Sequence, residues 1–304
     1  MKIAIVIPCH NEEVTIGKVV SDFRAALPEA EIHVFDNVST DRTTELAQRA
    51  GAITHDVASK GKGNVVRAMF RDIEADCYVL VDGDDTYPAA HASQLAAPVL
   101  EQRADMVVGA RLAKHETGSF RSLHVFGNRL IAFTINRLFG AHLTDVLSGY
   151  RAFSRRFVKT MPVLSRGFEI ESEMTMHALE QGFILQELAI PYGTRPTGSE
   201  SKLHTFKDGY RVLRTILQIF KDYRPLLFFG TLGAILLAFS FVIGVVTVEE
   251  FARLQRVEGV ARAVLGVAAG MSGLLLLVTG LVLDSINRRM RANYVLIADQ
   301  VIRK

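Results

Sequence analysis

The chain has 304 residues, enough for one large domain or two modest ones. It carries 35 basic and 32 acidic side chains, a formal net charge of +3 that is too small by itself to argue for nucleic acid, and no nucleic-acid partner is expected. The hydrophobic fraction of 49% conceals a split, because residues 1–205 are mixed in composition while 225–283 hold two long apolar blocks.

Ile3–Ile7 is a continuous apolar run, as in a strand buried on both faces. Pro8 cuts it too short for a signal peptide, so the N-terminal part is expected to stay in the cytoplasm. A helical pattern over 14–27 follows, then a strand over 31–35 and a helix over 41–50 that Ser39 or Thr40 could cap. A short strand at 53–55 leads to the glycine-rich stretch Lys60-Gly61-Lys62-Gly63-Asn64, a helix over 65–75 and a strand over 77–81. Further on, the pattern predicts a helix over 89–101, a strand over 105–109, helical structure within 115–142, a helix over 169–181 and a strand over 185–191. This alternation reads as an α/β domain, 1–205, with a three-layer, mostly parallel sheet. Cys9 and Cys77 fall in its apolar runs and are expected as buried free thiols.

Residues 206–224 form an amphipathic helical pattern that suits either a membrane interface or packing on the domain itself. The runs 225–248 and 263–283 are each about the length that crosses a bilayer, ~20 residues. Lys221 and Arg224 precede them, and Arg288, Arg289 and Arg291 open a basic tail over 284–304. By the positive-inside rule the two spans form a hairpin with both outer ends cytoplasmic.

Three acidic stretches follow predicted strands: Pro8–Glu13, Asp36–Asp41 and Asp82-Gly83-Asp84-Asp85. In a parallel sheet ligands gather at the carboxyl ends of the strands, so all three land on one edge. Carboxylates there make a hard oxygen site for Mg²⁺ or Mn²⁺, ions that commonly also hold substrate phosphates. Alone, the Asp82 stretch could also be read as a polar strand-to-loop turn. Lys60–Asn64 lies ahead of a helix, whose N-terminal amides favour anions; it reads as a phosphate cradle or as a flexible basic turn, and it lacks the Walker spacing.

The stretches Ile5–Glu13, Asp36–Asp41, Gly61–Gly63, Asp82–Asp84, Gly109–Arg111, Asp145–Arg151 and Arg195–Lys202 come in an order that resembles family 2 glycosyltransferases. The resemblance is to the branch of dolichyl-phosphate mannose synthases and bacterial polyprenyl-phosphate glycosyltransferases, in its two-span subgroup. It implies a GT-A fold, Rossmann-like, followed by the transmembrane hairpin. It also implies a sugar-nucleotide donor, a divalent cation (Mg²⁺ or Mn²⁺), a polyprenyl-phosphate acceptor of undecaprenyl type, inversion at the anomeric carbon and a homo-oligomer at the inner or plasma membrane. By position, Pro8, Glu12 and Asp36 would line the base and ribose pocket, with Glu13, Lys60 and Lys62 among the donor-binding residues. Asp82 and Asp84 would flank the sugar diphosphate and hold the metal, Asp84 foremost. Arg111 and Arg121 would meet the acceptor phosphate, and Arg195, Ser201 and Lys202 would belong to a loop closing over the diphosphate.

Two departures stand out. Thr86 occupies the place where mannose synthases often have Gln, which favours UDP over GDP as the donor base. Val125 stands where a Ser is expected if Arg121 is the acceptor-side arginine, which leaves Arg129 as its substitute. Asp145 has three open roles: base, orienter of an arginine, or nucleophile. A lipid monophosphate is already anionic near neutral pH, its second pKa being about 6, so catalysis here is chiefly the neutralisation and alignment of two repelling phosphate groups. Two other functions compete. A processive polysaccharide synthase of the same fold would carry a Gln-x-x-Arg-Trp signature, and the chain has no Trp. A non-catalytic nucleotide-binding adaptor would be expected to have lost the acids and phosphate arginines, which are all present.

Overall fold

A computed structural model describes residues 1–111, 119–167, 169–193, 214 and 216–302, and the side chains of 119–126 and 295–302 lie outside that description. The chain divides into two compact units, Met1–Val212 with Val301–Lys304, and Leu213–Gln300.

The first unit is built on a seven-stranded sheet: β1 (Ile3–Cys9), β2 (Glu31–Asp36), β3 (Ile53–Asp56), β4 (Cys77–Leu80), β5 (Met106–Arg111), β6 (Arg151–Ser154) and β7 (Leu185–Ile190). The spatial order is β3-β2-β1-β4-β6-β5-β7. All neighbouring pairs are parallel except those of β6, which runs antiparallel to both β4 and β5. The strand order reverses at β1, between β2 and β4, and crevices at such reversals are where open α/β sheets bind ligands.

The helices are α1 (Ile16–Ala26), α2 (Thr43–Arg49), α3 (Lys62–Asp72), α4 (Ala92–Leu100), α5 (Ser119–Phe139), α6 (Arg155–Thr160) and α7 (Ile170–Glu180). Their apolar faces form two cores, one on each side of the sheet. Ile3, Ile5 and Ile7 point with Cys77 and Val79 into the core shared with Val19, Val20 and Phe23 of α1 and Leu95 and Val99 of α4. Ala4, Val6, Tyr78 and Leu80 point the other way, into the core with Val66, Met69 and Phe70 of α3, Phe157 of α6 and Met174 of α7. The alternation is the period-2 geometry of a strand, and burial on both faces accounts for the unbroken apolar runs. The three-layer arrangement expected from the sequence is thus the one observed, and Cys9 and Cys77 are buried free thiols.

Three local expectations need correction. Residues 151–154 form a strand, β6, which had read only as the continuation of a polar motif; four residues are too few to show periodicity. The helix after β2 begins at Thr43 rather than 41, and neither Ser39 nor Thr40 caps it. Instead Asp41 Oδ1 accepts from the Thr43 amide at 3.0 Å and from its hydroxyl at 2.5 Å. The helix after the glycines begins at Lys62 rather than 65, so the second lysine belongs to its first turn.

The second unit holds α8 (Pro225–Leu254) and all but the last two residues of α9 (Val260–Ile302). Both are long and apolar enough to cross a membrane, with mean hydropathies of 2.5 and 2.1 over their most apolar windows. They extend into the charged connector from both sides, leaving 255–259 between them, and α9 continues through the basic tail to Ile302; connector and tail had read as separate segments. Gln255 ends α8 in a left-handed conformation, φ 52°. The pair packs antiparallel through small residues: an added Cβ on Gly233 would lie 2.7 Å from the Gly273 carbonyl, and one on Gly270 would lie 2.6 Å from Ser240 Oγ. Such close backbone approach is how helices associate where no hydrophobic effect drives them together. Of the amphipathic helix expected over 206–224, residues 206–213 and 215 lie outside the described residues; 214 and 216–223 are helical, and Ile219 is buried.

Candidate active site

The carboxyl ends of β1, β2, β4 and β5 meet at one edge because those strands are mutually aligned. Antiparallel β6 enters the sheet from that same edge, since its first residue, Arg151, pairs with Leu80 and Val108. The turn that carries Asp145 to Tyr150 is therefore delivered beside the acidic turn after β4.

On the β1–β2 side the two loops are laced together. Asn37 donates its amide N–H to the Cys9 carbonyl at 2.8 Å, Thr40 donates to Asn11 Oδ1 at 2.8 Å, and the Glu12 amide donates to Thr43 Oγ1 at 2.8 Å. Glu13 faces outward to Arg42 at 3.4 Å, so it ties the loops rather than lining a pocket. Asp36 is buried. Its Oδ2 accepts from the Ser39 amide at 3.0 Å, while Oδ1 has no hydrogen-bond partner. A buried carboxylate oxygen without a donor calls for an explanation, and a ligand's hydroxyl or ring N–H supplies one. Pro8 is half-buried on the adjacent strand. Asn37, which the sequence did not single out, ties the next loop down: it donates to the Val57 and Ser59 carbonyls and accepts from the Gly61 amide at 2.7 Å.

The glycine-rich stretch has a packing explanation. A Cβ on Gly61 would lie 2.2 Å from the Arg166 carbonyl oxygen and one on Gly63 would lie 2.1 Å from that of Ser165, and Gly61 has φ 126°. The glycines let two backbones touch. Lys60 is exposed. Lys62 points inward, with Nζ 2.6 Å from Asp82 Oδ1 and 2.6 Å from Glu171 Oε1. Burial disfavours its charge, but the two carboxylates outweigh that and hold its pKa above the ordinary lysine value.

After β4 the chain turns tightly. Thr15 donates its hydroxyl to the Gly83 carbonyl at 2.7 Å and lies 3.4 Å from a Glu12 carboxylate oxygen. Asp84 is buried and its Oδ1 accepts from the Thr86 hydroxyl at 2.6 Å. Asp85 leaves the site to pair with Lys18 at 2.8 Å. Gly149 fits against Asp82 so closely that a Cβ there would be 2.3 Å from Oδ2, and its amide donates to Tyr87 Oη at 3.0 Å.

On the β5 side Arg111 and Asp145 form a two-pronged ion pair. Arg111 Nε donates to Oδ2 at 2.6 Å and Nη2 to Oδ1 at 2.9 Å. The Arg111 amide, Asn128 Nδ2 and the Leu147 amide also donate to this carboxylate. Burial would raise the Asp145 pKa, and Arg111 more than reverses this, holding it below the usual carboxylate range. Of its three open roles, orienting an arginine is the one this geometry fits. Arg111 also lies over the Tyr192 ring at 5.4 Å, and Tyr192 packs on Tyr87 at 5.3 Å. Arg111, Tyr192, Tyr87, Gly149 and Asp82 thus form one contiguous contact chain. Arg151 of the same motif is fully buried, donating to the Ser148 and Val146 carbonyls and to Thr175, and burial pulls its pKa down to about 10. Its guanidinium is spent on these protein groups, which shape the turn.

The side chain of Arg121 lies outside the described residues, as do Arg195, Ser201 and Lys202. Arg129 is exposed on α5, where its neighbour Asn128 reaches Asp145. Glu187 of β7 clamps Asp145 from behind, accepting its amide at 3.1 Å and that of Thr144 at 2.9 Å. Glu171, Asn128 and Glu187 carry no sequence signal, because each acts across the fold on a partner far away in the chain.

Among the described residues no three His, Cys, Asp or Glu side chains gather as a complete protein cage for a metal. Two carboxylates, Asp82 and Asp84, with the remaining positions left to phosphate oxygens and water, is nonetheless the donor set that Mg²⁺ or Mn²⁺ accepts. The glycine backing Asp82 leaves that carboxylate room at the edge, so these residues fit such an ion.

Residues 4–161 match the family described as Glycosyl transferase family 2. The chain is 33% identical over 285 residues to "Glycosyltransferase AglJ" of Haloferax volcanii, covering 93% of each chain. It is 29% identical to a "Dolichyl-phosphate hexose transferase" of the same organism, over 73% of this chain and 95% of that one. Among solved structures, glucosyl-3-phosphoglycerate synthase from Mycobacterium tuberculosis, crystallised with Mn²⁺, UDP and its product, superposes with a TM-score of 0.58. That likeness covers 72% of this chain and 79% of the other at 22% identity, and it shows the fold alone.

Proposed function

The chain belongs to glycosyl transferase family 2, and from that premise we propose that it transfers a sugar from a UDP-sugar to a polyprenyl phosphate at the cytoplasmic face of a membrane, with inversion at the anomeric carbon. The observation that carries this reading is the meeting, on one sheet edge, of the Asp82–Asp84 pair with an arginine that Asp145 holds rigidly. Acids of this kind suit a nucleoside diphosphate with its cation, and a pre-oriented guanidinium suits a second phosphate. The name of the dolichyl-phosphate relative and the two long apolar helices support a lipid as the carrier of that second phosphate.

In the proposed reaction a phosphate oxygen of the lipid attacks the anomeric carbon, the glycosidic C–O bond to the nucleoside diphosphate breaks, and the diphosphate leaves with the electron pair. No proton needs removing, because the lipid phosphate is already ionised near neutral pH, its second pKa being about 6. Arg111 draws the acceptor phosphate to the donor against their mutual repulsion, and its geometry is set before substrate arrives, so little ordering remains to be done. Asp36 holds the nucleoside with its free oxygen. A divalent cation held by Asp82 and Asp84 supplies charge neutralisation of the diphosphate leaving group; the UDP- and Mn²⁺-bound fold neighbour supports that choice. Asp145 is a poor nucleophile and a poor base here, since both its oxygens are engaged and it is hard to protonate; this favours a single displacement, hence inversion.

The test is a panel of UDP- and GDP-sugars incubated with membranes, polyprenyl phosphate and Mg²⁺ or Mn²⁺, with mass spectrometry of the extracted lipid. One UDP-sugar should give a hexosyl-type mass increase that EDTA abolishes. Product from GDP-sugars alone would reassign the base, and product that survives EDTA would remove the metal from the mechanism.

A further inference from the structure

Glu171 plays no part in the transfer step, yet it is one of the few fully buried carboxylates near the site, 4% exposed in the first turn of α7. It shares the Lys62 ammonium with Asp82, each at 2.6 Å. Burying a lysine between two acids costs hydration on three charges, and apolar side chains of similar volume would often hold the fold as well. Packing keeps the arrangement rigid. Lys62 is the first residue of α3, and its flanking glycines rest on the 165–166 backbone. Glu173, two residues on from Glu171 in the same first turn, accepts the amides of Leu164 and Ser165 at 2.8 Å each. The helix that carries Glu171 therefore also fastens the wall against which Lys62 is set.

Asp82 is the meeting point of two cations. The Lys62 ammonium already sits on it, and a divalent ion would draw on the same carboxylate while repelling the ammonium. Glu171 offers the ammonium a second counter-ion, so that it can loosen its hold on Asp82 without leaving a buried charge unpaired. We infer that Glu171 is a positioning residue which, acting through Lys62, sets the affinity of Asp82 for a divalent cation and makes that affinity depend on a bound nucleoside diphosphate. The inference rests on the reading of Asp82 and Asp84 as metal ligands. Without nucleotide the ammonium competes for Asp82 and the ion binds weakly. With nucleotide, the added phosphate charge tips the competition toward the divalent ion, and Lys62 stays on Glu171.

The test uses the full-length protein in detergent and follows Mn²⁺ binding by the electron paramagnetic resonance signal of the free ion, with and without UDP. Lys62→Met removes the competitor, so Mn²⁺ alone should bind about tenfold tighter or better, and the gain from adding UDP should shrink. Glu171→Gln takes one carboxylate from the ammonium and shifts its hold toward Asp82, so Mn²⁺ should bind several-fold weaker. Because Glu171 acts through Lys62, adding Glu171→Gln to Lys62→Met should change Mn²⁺ binding little beyond Lys62→Met alone, and a Glu171→Gln loss that persists without Lys62 would overturn the inference. Lys62→Gln and Glu171→Met serve as second members of each pair and should show the same opposite signs. A merely structural role predicts that both losses loosen the site and weaken Mn²⁺ together. Shifts of the same sign, or no shift, in variants that keep their circular dichroism and UDP binding would overturn the inference. A wild type that binds no Mn²⁺ even with UDP would overturn the metal reading itself, and this inference with it.

Discussion

Arg111 and Asp145 show how a charged pair can be built for orientation. Two parallel hydrogen bonds fix the guanidinium plane, and three further donors fix the carboxylate. Arg111→Ala is expected to raise the KM for polyprenyl phosphate by about tenfold or more, as loss of a charge-assisted phosphate contact should, with a smaller effect on the KM for nucleotide sugar. Steady-state kinetics with each substrate varied in turn distinguishes this from a donor-side role, which would reverse the pattern. Asp145→Asn keeps the shape but lifts the charge. Removing one partner of a buried pair costs about 3–5 kcal/mol, and kcat should fall with it. The pair also has a pH signature. A carboxyl whose folded pKa is depressed contributes its stability above the unfolded value, about 4, and loses it as pH falls through the folded pKa. Thermal unfolding followed downward from neutral pH should therefore show a loss of stability at acid pH that is smaller in Asp145→Asn.

At the scale of elements, the site depends on three junctions where backbones or side chains from separate elements meet. One is the contact of the glycine turn before α3 with the chain at 165–166. Gly63→Ala puts a methyl 2.1 Å from a carbonyl oxygen that cannot rotate away. Overpacking of this kind costs about 1–3 kcal/mol, and chemical denaturation should show a loss of that size. Gly17, in the first turn of α1, has nothing within 4 Å of its would-be Cβ, so Gly17→Ala should leave stability unchanged or slightly raised and serves as the control. The second junction is antiparallel β6, which brings the Asp145 turn to the edge where the parallel strands end. The third is Glu187 of β7, which holds that turn by two backbone amides and a hydroxyl.

For the whole molecule, the two units have different solvents in view. The sheet domain buries two cores of its own, both drawn from residues before 191. The helices of the second unit leave most of their apolar surface outward, with 11% and 17% of their apolar windows buried, the pattern of segments that lie in lipid. A chain ending at Arg224 should accordingly fold and bind UDP with near-native affinity by calorimetry, yet turn over long-chain polyprenyl phosphate in vesicles far more slowly than the intact protein. Equal rates for the two proteins on that lipid would remove the anchoring role of α8 and α9.

The sequence by itself determined the α/β class, the two long apolar helices and the order of the acidic strand ends. These are local properties: an apolar run with a given period and stop signal makes a strand, and aligned strands put their carboxyl ends on one edge wherever they stand in the sheet. The fold decided which charge answers which. Lys62 read as a phosphate ligand and proves to be shared by Asp82 and Glu171. Asp145 had three open roles and is committed to Arg111, and the glycines that suggested a phosphate cradle turn out to let two backbones touch. Pairing between residues distant in the chain is set by packing in three dimensions, where a neighbour contributes through a few ångströms of space and leaves no periodic mark in the chain.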